Sequence, residues 1–190
     1  MATVSIIGTG NMGTAIANVV GKGGHSVELI AHADADRQVT GEIVVLAVRY
    51  PDVADVLARR ADQLAGKIVV DISNPLDFQT FDSLVVPADS SAAAVIAAGL
   101  PQSRVVKAFN TNFAATLAAG TVGEVPTTVL VAGDDAEAKA LLTEIVTDGG
   151  LRVIDAGSLR RARELEAIGF LQLTLAVGGK IGWTGGFAVS

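Results

Sequence analysis

Hydrophobic positions come in short runs of branched aliphatics, separated by stretches in which apolar residues recur every three or four positions. The first run, "TVSIIG" (3–8), closes on glycine as a buried parallel strand does. "NMGTAIANVVGKGG" follows, with Met12, Ile16, Val19 and Val20 at helical spacing and Gly21, Gly23 and Gly24 to stop it. "HSVELIA" (25–31) and "EIVVLAV" (42–48) predict the second and third strands. Only eleven residues, His32 to Glu42, separate them. A crossover between parallel strands usually takes a dozen or more residues, commonly with a helix, so this one is predicted to shrink to a loop or a single turn.

"YPDVADVLARRADQLA" (50–65) predicts a helix opening near Pro51 with Val53, Val56, Leu57 and Leu64 inward. "KIVVDIS" (67–73) is the fourth strand, "SSAAAVIAAGL" (90–100) a helix capped by Ser90 or Ser91, and "RVVKAFN" (104–110) the fifth strand. "TTVLVAG" (127–133), the helix "DAEAKALLTEIVTDGG" (135–150), the strand "LRVIDAG" (151–157) and a helix over about 159–177 complete the pattern. This alternation predicts one doubly wound, mostly parallel α/β domain over residues 1–190.

Composition narrows the function. Half of the 190 residues are hydrophobic and 18% are charged, which supplies a core and argues against disorder. A net charge of −6 argues against nucleic acid as a partner, so an anionic ligand needs a local feature to hold it. Without cysteine there is no disulfide, thiolate metal site or thiol nucleophile. No apolar run reaches the ~20 residues of a membrane helix, and the first residues lack a signal-peptide pattern. The expectation is a soluble cytoplasmic protein that binds no membrane.

Gly8, Gly10 and Gly13 form G-x-G-x-x-G between the first predicted strand and helix, the context that a dinucleotide fingerprint requires. The first glycine permits the turn, the second lets backbone approach a pyrophosphate, and the third lets helix and strand pack closely. Thr9, Asn11 and Met12 fill the variable positions; Asn11 either caps the helix or meets a phosphate. An acidic residue at the end of the second strand would bind a free ribose hydroxyl, and a basic one a 2′-phosphate. His32 and Arg37 favour NADP, whereas Asp34, about 20 residues past the last glycine, suits NAD. The balance leans to NADP, with NAD possible.

"GTGNMG", "VVLAV", "DISNPL", "VVKAFNT" and "DAGSLRRARELE" together resemble the NADPH-dependent reductases of coenzyme F-420 (F420) and the reductase domains of the STEAP metalloreductases. The resemblance runs from Thr3 to about Leu173. It implies a Rossmann-type domain that passes hydride between NADP(H) and a flavin or deazaflavin, and a homodimer formed partly through the C-terminal region. It places the pyrophosphate on the loop Gly8 to Gly13 and the cofactor along Ala47, Val48 and Arg49. Asn74 and Pro75, with Ala108, Phe109, Asn110 and Thr111, would sit at strand ends facing the nicotinamide and the second ring. Two departures stand out: Ile30-Ala31-His32 replaces the Gly-Ser-Arg of many members, and Arg49 stands where deazaflavin reductases often have proline.

Hydride transfer between stacked rings needs alignment and exclusion of water, not necessarily a protein acid or base, so no catalytic proton donor and no metal ligand are named. Asn110 is the candidate contact for a carboxamide or the acceptor; capping the following element is the plainer role. Lys107 is expected to be a solvated edge lysine. Arg160, Arg161 and Arg163, with Glu164 and Glu166 beside them, are expected to form a solvated face instead of an acceptor site. No paired carboxylates are evident. The apolar, glycine-rich tail 175–190, with Trp183 and Phe187, is expected to cover a partner subunit or the cofactor cleft. Two alternatives stay open: a reductase of a small carbonyl or imine, and a nucleotide sensor without turnover.

Overall fold

The computed structural model describes residues 1–34 and 36–190. Strands β1 (Thr3–Ile7), β2 (Ser26–Ile30), β3 (Ile43–Leu46), β4 (Ile68–Asp71) and β5 (Arg104–Lys107) pair in parallel in the order β2-β1-β3-β4-β5. Two later strands, β8 (Thr128–Gly133) and β9 (Arg152–Gly157), extend the sheet beyond β5. The helices are α1 (Asn11–Lys22), α2 (Tyr50–Leu64), α3 (Ala92–Gly99), α4 (Ala114–Ala119), α5 (Ala136–Asp148) and α6 (Ala162–Val177). This is a Rossmann-type sheet, and the strand order reverses between β1 and β3, where such folds open a ligand crevice.

Strand alternation builds the layers. Ile6, Ile43, Val45 and Val70 face a core closed by α1, α4 and α5, while Ile7, Val44, Leu46 and Val69 face α2 and α3. Every residue of β3 and β4 is buried, as expected of strands covered on both faces.

Three features depart from the sequence pattern. Between β5 and β8 the chain forms α4 and a two-stranded hairpin, β6 (Thr121–Val122) and β7 (Val125–Pro126). It then re-enters the sheet antiparallel, with Val106 opposite Gly133. The fifth strand ends at Lys107 and not at Asn110, because Phe109 takes a left-handed φ of 61° that a strand cannot contain. A 3₁₀ turn, Leu159–Arg161, opens the last helix.

The shortened second crossover is observed: no helix lies among the described residues between β2 and β3. In its place the buried guanidinium of Arg60 on α2 donates to the carbonyls of Asp34 and Arg37. Gln63 accepts from the Val39 amide, and Ser5 Oγ from the Gly41 amide. No helix of the described chain is long and apolar enough to cross a membrane.

Candidate functional site

Gly8 follows β1 with φ +114°, a conformation that favours glycine. A Cβ there would strike the carbonyl of Ala47, and one on Gly13 would strike the carbonyl of Gly8. Packing therefore accounts for both. Gly10 is different: its φ of −72° suits any residue, and a Cβ would meet nothing within 4 Å. Gly10 is the N-cap of α1, without a side-chain cap and without an acidic residue in the first turn. The helix start thus keeps free N–H groups and an uncountered partial positive charge. Asn11 is the first residue inside the helix and not its cap.

This turn forms one wall of a cavity of about 480 Å³, within the ~300–1,000 Å³ usual for small-molecule sites. Of the residues singled out from sequence, Gly10, Asn11, Met12, Ala47, Val48, Arg49, Asn74, Phe109 and Asn110 line it. Thr9, His32 and Arg37 are exposed outside its lining, and Pro75 and Ala108 are buried behind it. Arg49 pairs with Asp52 at 3.1 Å, with 70% of its side chain exposed. Arg37 pairs with Glu28 at 3.3 Å and donates to the Leu29 carbonyl. Asp34 turns back to accept from the Ala31 amide. Burial alone would raise the Glu28 carboxyl, but hydrogen bonds from Ser5 and Thr40 and the Arg37 charge outweigh it and hold Glu28 below the usual carboxylate range.

Two elements of the far wall are tied together by their amides. Asn74 Nδ2 donates to the Asn110 carbonyl, and Asn110 Nδ2 donates to Asn74 Oδ1 and the Leu165 carbonyl, all within 2.9 Å. These acceptors fix the amide orientation, so Asn110 links strand ends to α6 and does not cap the element that follows. Its Oδ1 is left buried without a donor, as is Oδ1 of Asn112, whose Nδ2 donates to the Thr128 carbonyl.

Behind this wall lies a charged network. Lys107, expected to be solvated, is fully buried; its ammonium donates to Asp71 (2.7 Å), the Ser73 carbonyl (2.6 Å) and Glu166 (2.8 Å). Glu166 is likewise buried instead of lying on the solvated face, and it accepts from the amides of Ala92 and Ala93. Together with Ser91 Oγ, which accepts from Ala94, it caps the start of α3. Asp71 Oδ1 accepts from the Ser73 amide and hydroxyl. The pair of carboxylates absent from the sequence reading is thus assembled around one ammonium. Burial pushes the Glu166 carboxyl up against the pull of Lys107 and the helix amides. Burial, then the Glu166 and Asp71 charges, push the Tyr50 phenol up as well. Arg160, Arg161 and Arg163 are exposed as expected.

Sequence reasoning missed Ser73, Asn112 and Phe113 in the lining, while Trp183, on the tail expected over a partner subunit or the cofactor cleft, lies at the cleft. Trp183 meets the Phe113 ring edge-on with centroids 5.0 Å apart. The signal available was composition: a chain with so few aromatics places Phe78, Phe109, Phe113 and Trp183 on this one cavity.

A Rossmann sheet with a glycine turn at the strand-order reversal, opening on an apolar cavity, defines a dinucleotide-binding domain. Residues 26–75 match the family described as NADP oxidoreductase, coenzyme F420-dependent. The F420-dependent NADP reductase of Methanocaldococcus jannaschii is 31% identical over 166 residues, covering 85% of this chain and 74% of that protein. The chain belongs to this family of coenzyme F420-dependent NADP oxidoreductases. Rat metalloreductase STEAP3 is 39% identical over 127 residues, which is 67% of this chain but 25% of STEAP3. A crystal structure of a candidate F420-dependent NADP-reductase from Arthrobacter sp. FB24 superposes with a TM-score of 0.86 at 27% identity, covering both chains fully.

Proposed function

We propose that the protein transfers hydride between NADP(H) and a deazaflavin of the F420 type, or a flavin. The observation that carries this reading is the asymmetry among the three glycines. Gly8 and Gly13 answer to intramolecular packing, while Gly10 keeps open the space beside an uncapped helix start, which suits a diphosphate. Kinship with the Methanocaldococcus reductase supports NADP and F420 as the pair.

In this reading the turn Gly8, Thr9, Gly10, Asn11, Met12 and Gly13 holds the diphosphate. His32 and Arg37, at the end of β2, take the 2′-phosphate. Ala47, Val48 and Arg49 run along the nucleotide, and Asn74, Pro75, Ala108 and Asn110 define the nicotinamide end. NADPH supplies the hydride when bound. The protein aligns two rings and excludes water from an apolar cavity whose nicotinamide end is held in shape by the Asn74–Asn110 amide bonds. The exposed apolar residues Ile168, Leu171 and Val177 of α6, continuous with the tail, are assigned to a homodimer interface.

Anaerobic mixing of enzyme and NADPH with F420, FMN or a small imine, followed at 340 nm, tests the assignment. Oxidation of NADPH with F420 or FMN is expected. Binding of NADPH without oxidation by any acceptor, or turnover with the imine alone, overturns it.

A further inference from the structure

The second ring needs a place, and the wall opposite the glycine turn has the chemistry for one. The chain contains one Trp, one Tyr and six Phe, yet Phe78, Phe109, Phe113 and Trp183 all line the same cavity. Trp183 belongs to the segment after α6, which folds back as a strap. The Phe187 amide donates to Gln172 Oε1 at 2.7 Å, Gln172 Nε2 donates to the Thr111 carbonyl at 3.1 Å, and Arg152 donates to the Val189 carbonyl at 3.2 Å. Gln172 is buried and bonds both segments, so it pins the strap to the loop that carries Asn110 and Asn112. Trp183 nevertheless remains 52% exposed, with the Phe113 ring edge-on beside it.

An independent observation comes from the same wall. Asn110 and Asn112 are over nine-tenths buried, and each has an Oδ1 without a donor. Their Nδ2 groups already donate to carbonyls, so rotating the amides would lose those bonds. Both oxygens are sealed beneath the lining, so the two amides fix the shape of this wall. A half-exposed indole on the cavity, braced edge-on by the Phe113 ring above this fixed wall, offers its face to a planar heterocycle.

We propose that Trp183, presented by the C-terminal strap, is the stacking platform of the acceptor subsite. The proposal rests on the hydride-transfer reading and assigns its acceptor half to residues that neither the glycine turn nor the β2 end contains. The nucleotide half, built on Gly10 and the start of α1, is independent of Trp183.

Equilibrium binding of F420, FMN and NADP⁺ is to be measured separately on the wild type, Trp183→Ala and Trp183→Phe. Loss of one aromatic stack corresponds to a weakening of roughly tenfold or more, so Trp183→Ala should lower F420 and FMN affinity by that factor. NADP⁺ affinity should stay within about twofold, and Trp183→Phe should recover most of the loss because a ring is restored. Acceptor affinity unchanged in Trp183→Ala, or an equal loss of NADP⁺ and acceptor, overturns the proposal while leaving hydride transfer standing. Failure of the wild type to bind either acceptor overturns both, and failure to bind NADP⁺ removes the nucleotide assignment alone.

Discussion

Replacing Lys107 with methionine keeps an unbranched apolar stem of similar length and removes the ammonium. That group satisfies three acceptors at 2.6–2.8 Å in a site where it and both carboxylates are sealed from solvent. The variant therefore leaves Asp71 and Glu166 facing each other without a cation. Breaking a buried ion pair in this way costs about 3–5 kcal/mol, well above the cost of a methylene-sized change in packing. For a chain of this size the melting temperature falls about 2–4 °C per kcal/mol, so a drop of about 6–20 °C is expected.

Calorimetry at pH 8 and pH 5 separates the electrostatic cause from packing. Glu166 is already pushed up by burial, and without Lys107 the strongest opposing pull is gone. An acid with a raised folded pKa destabilises the fold when ionised and ceases to do so once protonated. The deficit of Lys107→Met should consequently be larger at pH 8 than at pH 5, and adding Glu166→Gln should return part of the loss at pH 8. A deficit below about 1 kcal/mol, or one that does not change with pH, would refute the view that a paired charge holds this wall.

Three further outcomes follow from the geometry. Gly10→Ala should stay within about 0.5 kcal/mol of wild-type stability in urea titration while NADP⁺ binding falls at least tenfold, whereas Gly13→Ala should cost about 1–3 kcal/mol through its clash with the Gly8 carbonyl. Glu28 has a depressed folded pKa, so its contribution is present above the ordinary carboxylate value of about 4.3 and lost as pH falls through the folded value. The stability gap between wild type and Glu28→Gln should therefore be full at pH 7 and close in acid. Sedimentation velocity at micromolar concentration should show a dimer, and Leu171→Glu on the exposed face of α6 should shift it to monomer.

The parts of this protein that were readable from sequence are those written in local pattern. Val4, Ile6, Val44 and Val70 announce buried strands because their neighbours are apolar too. The G-x-G-x-x-G turn is legible because its spacing encodes both the bend and the helix that follows. Lys107 was not legible, since within "RVVKAF" nothing distinguishes a buried lysine from an edge one. Its partners are Asp71, 36 positions earlier, and Glu166, carried by another helix. Glu166 itself sits in a run of charges whose other members are exposed, and only the approach of α3 turns it inward. The antiparallel return of β8 escaped because α4 is a six-residue helix of small residues, without a sustained period to detect. Trp183 was legible only as part of an apolar tail with two destinations, because a strap held by single main-chain bonds leaves no periodic trace to choose between a partner and the cleft.

Arg60 grips the carbonyl oxygens of Asp34 and Arg37, a feature every amino acid offers, so this anchorage does not depend on which side chains stand at those two positions. Residues at the mouth of this link can be exchanged, by drift or by design, at little risk to folding. Under the proposed placement of the 2′-phosphate at His32 and Arg37, preference for one pyridine nucleotide over the other becomes a trait that point changes can retune, provided the guanidinium beneath is left alone.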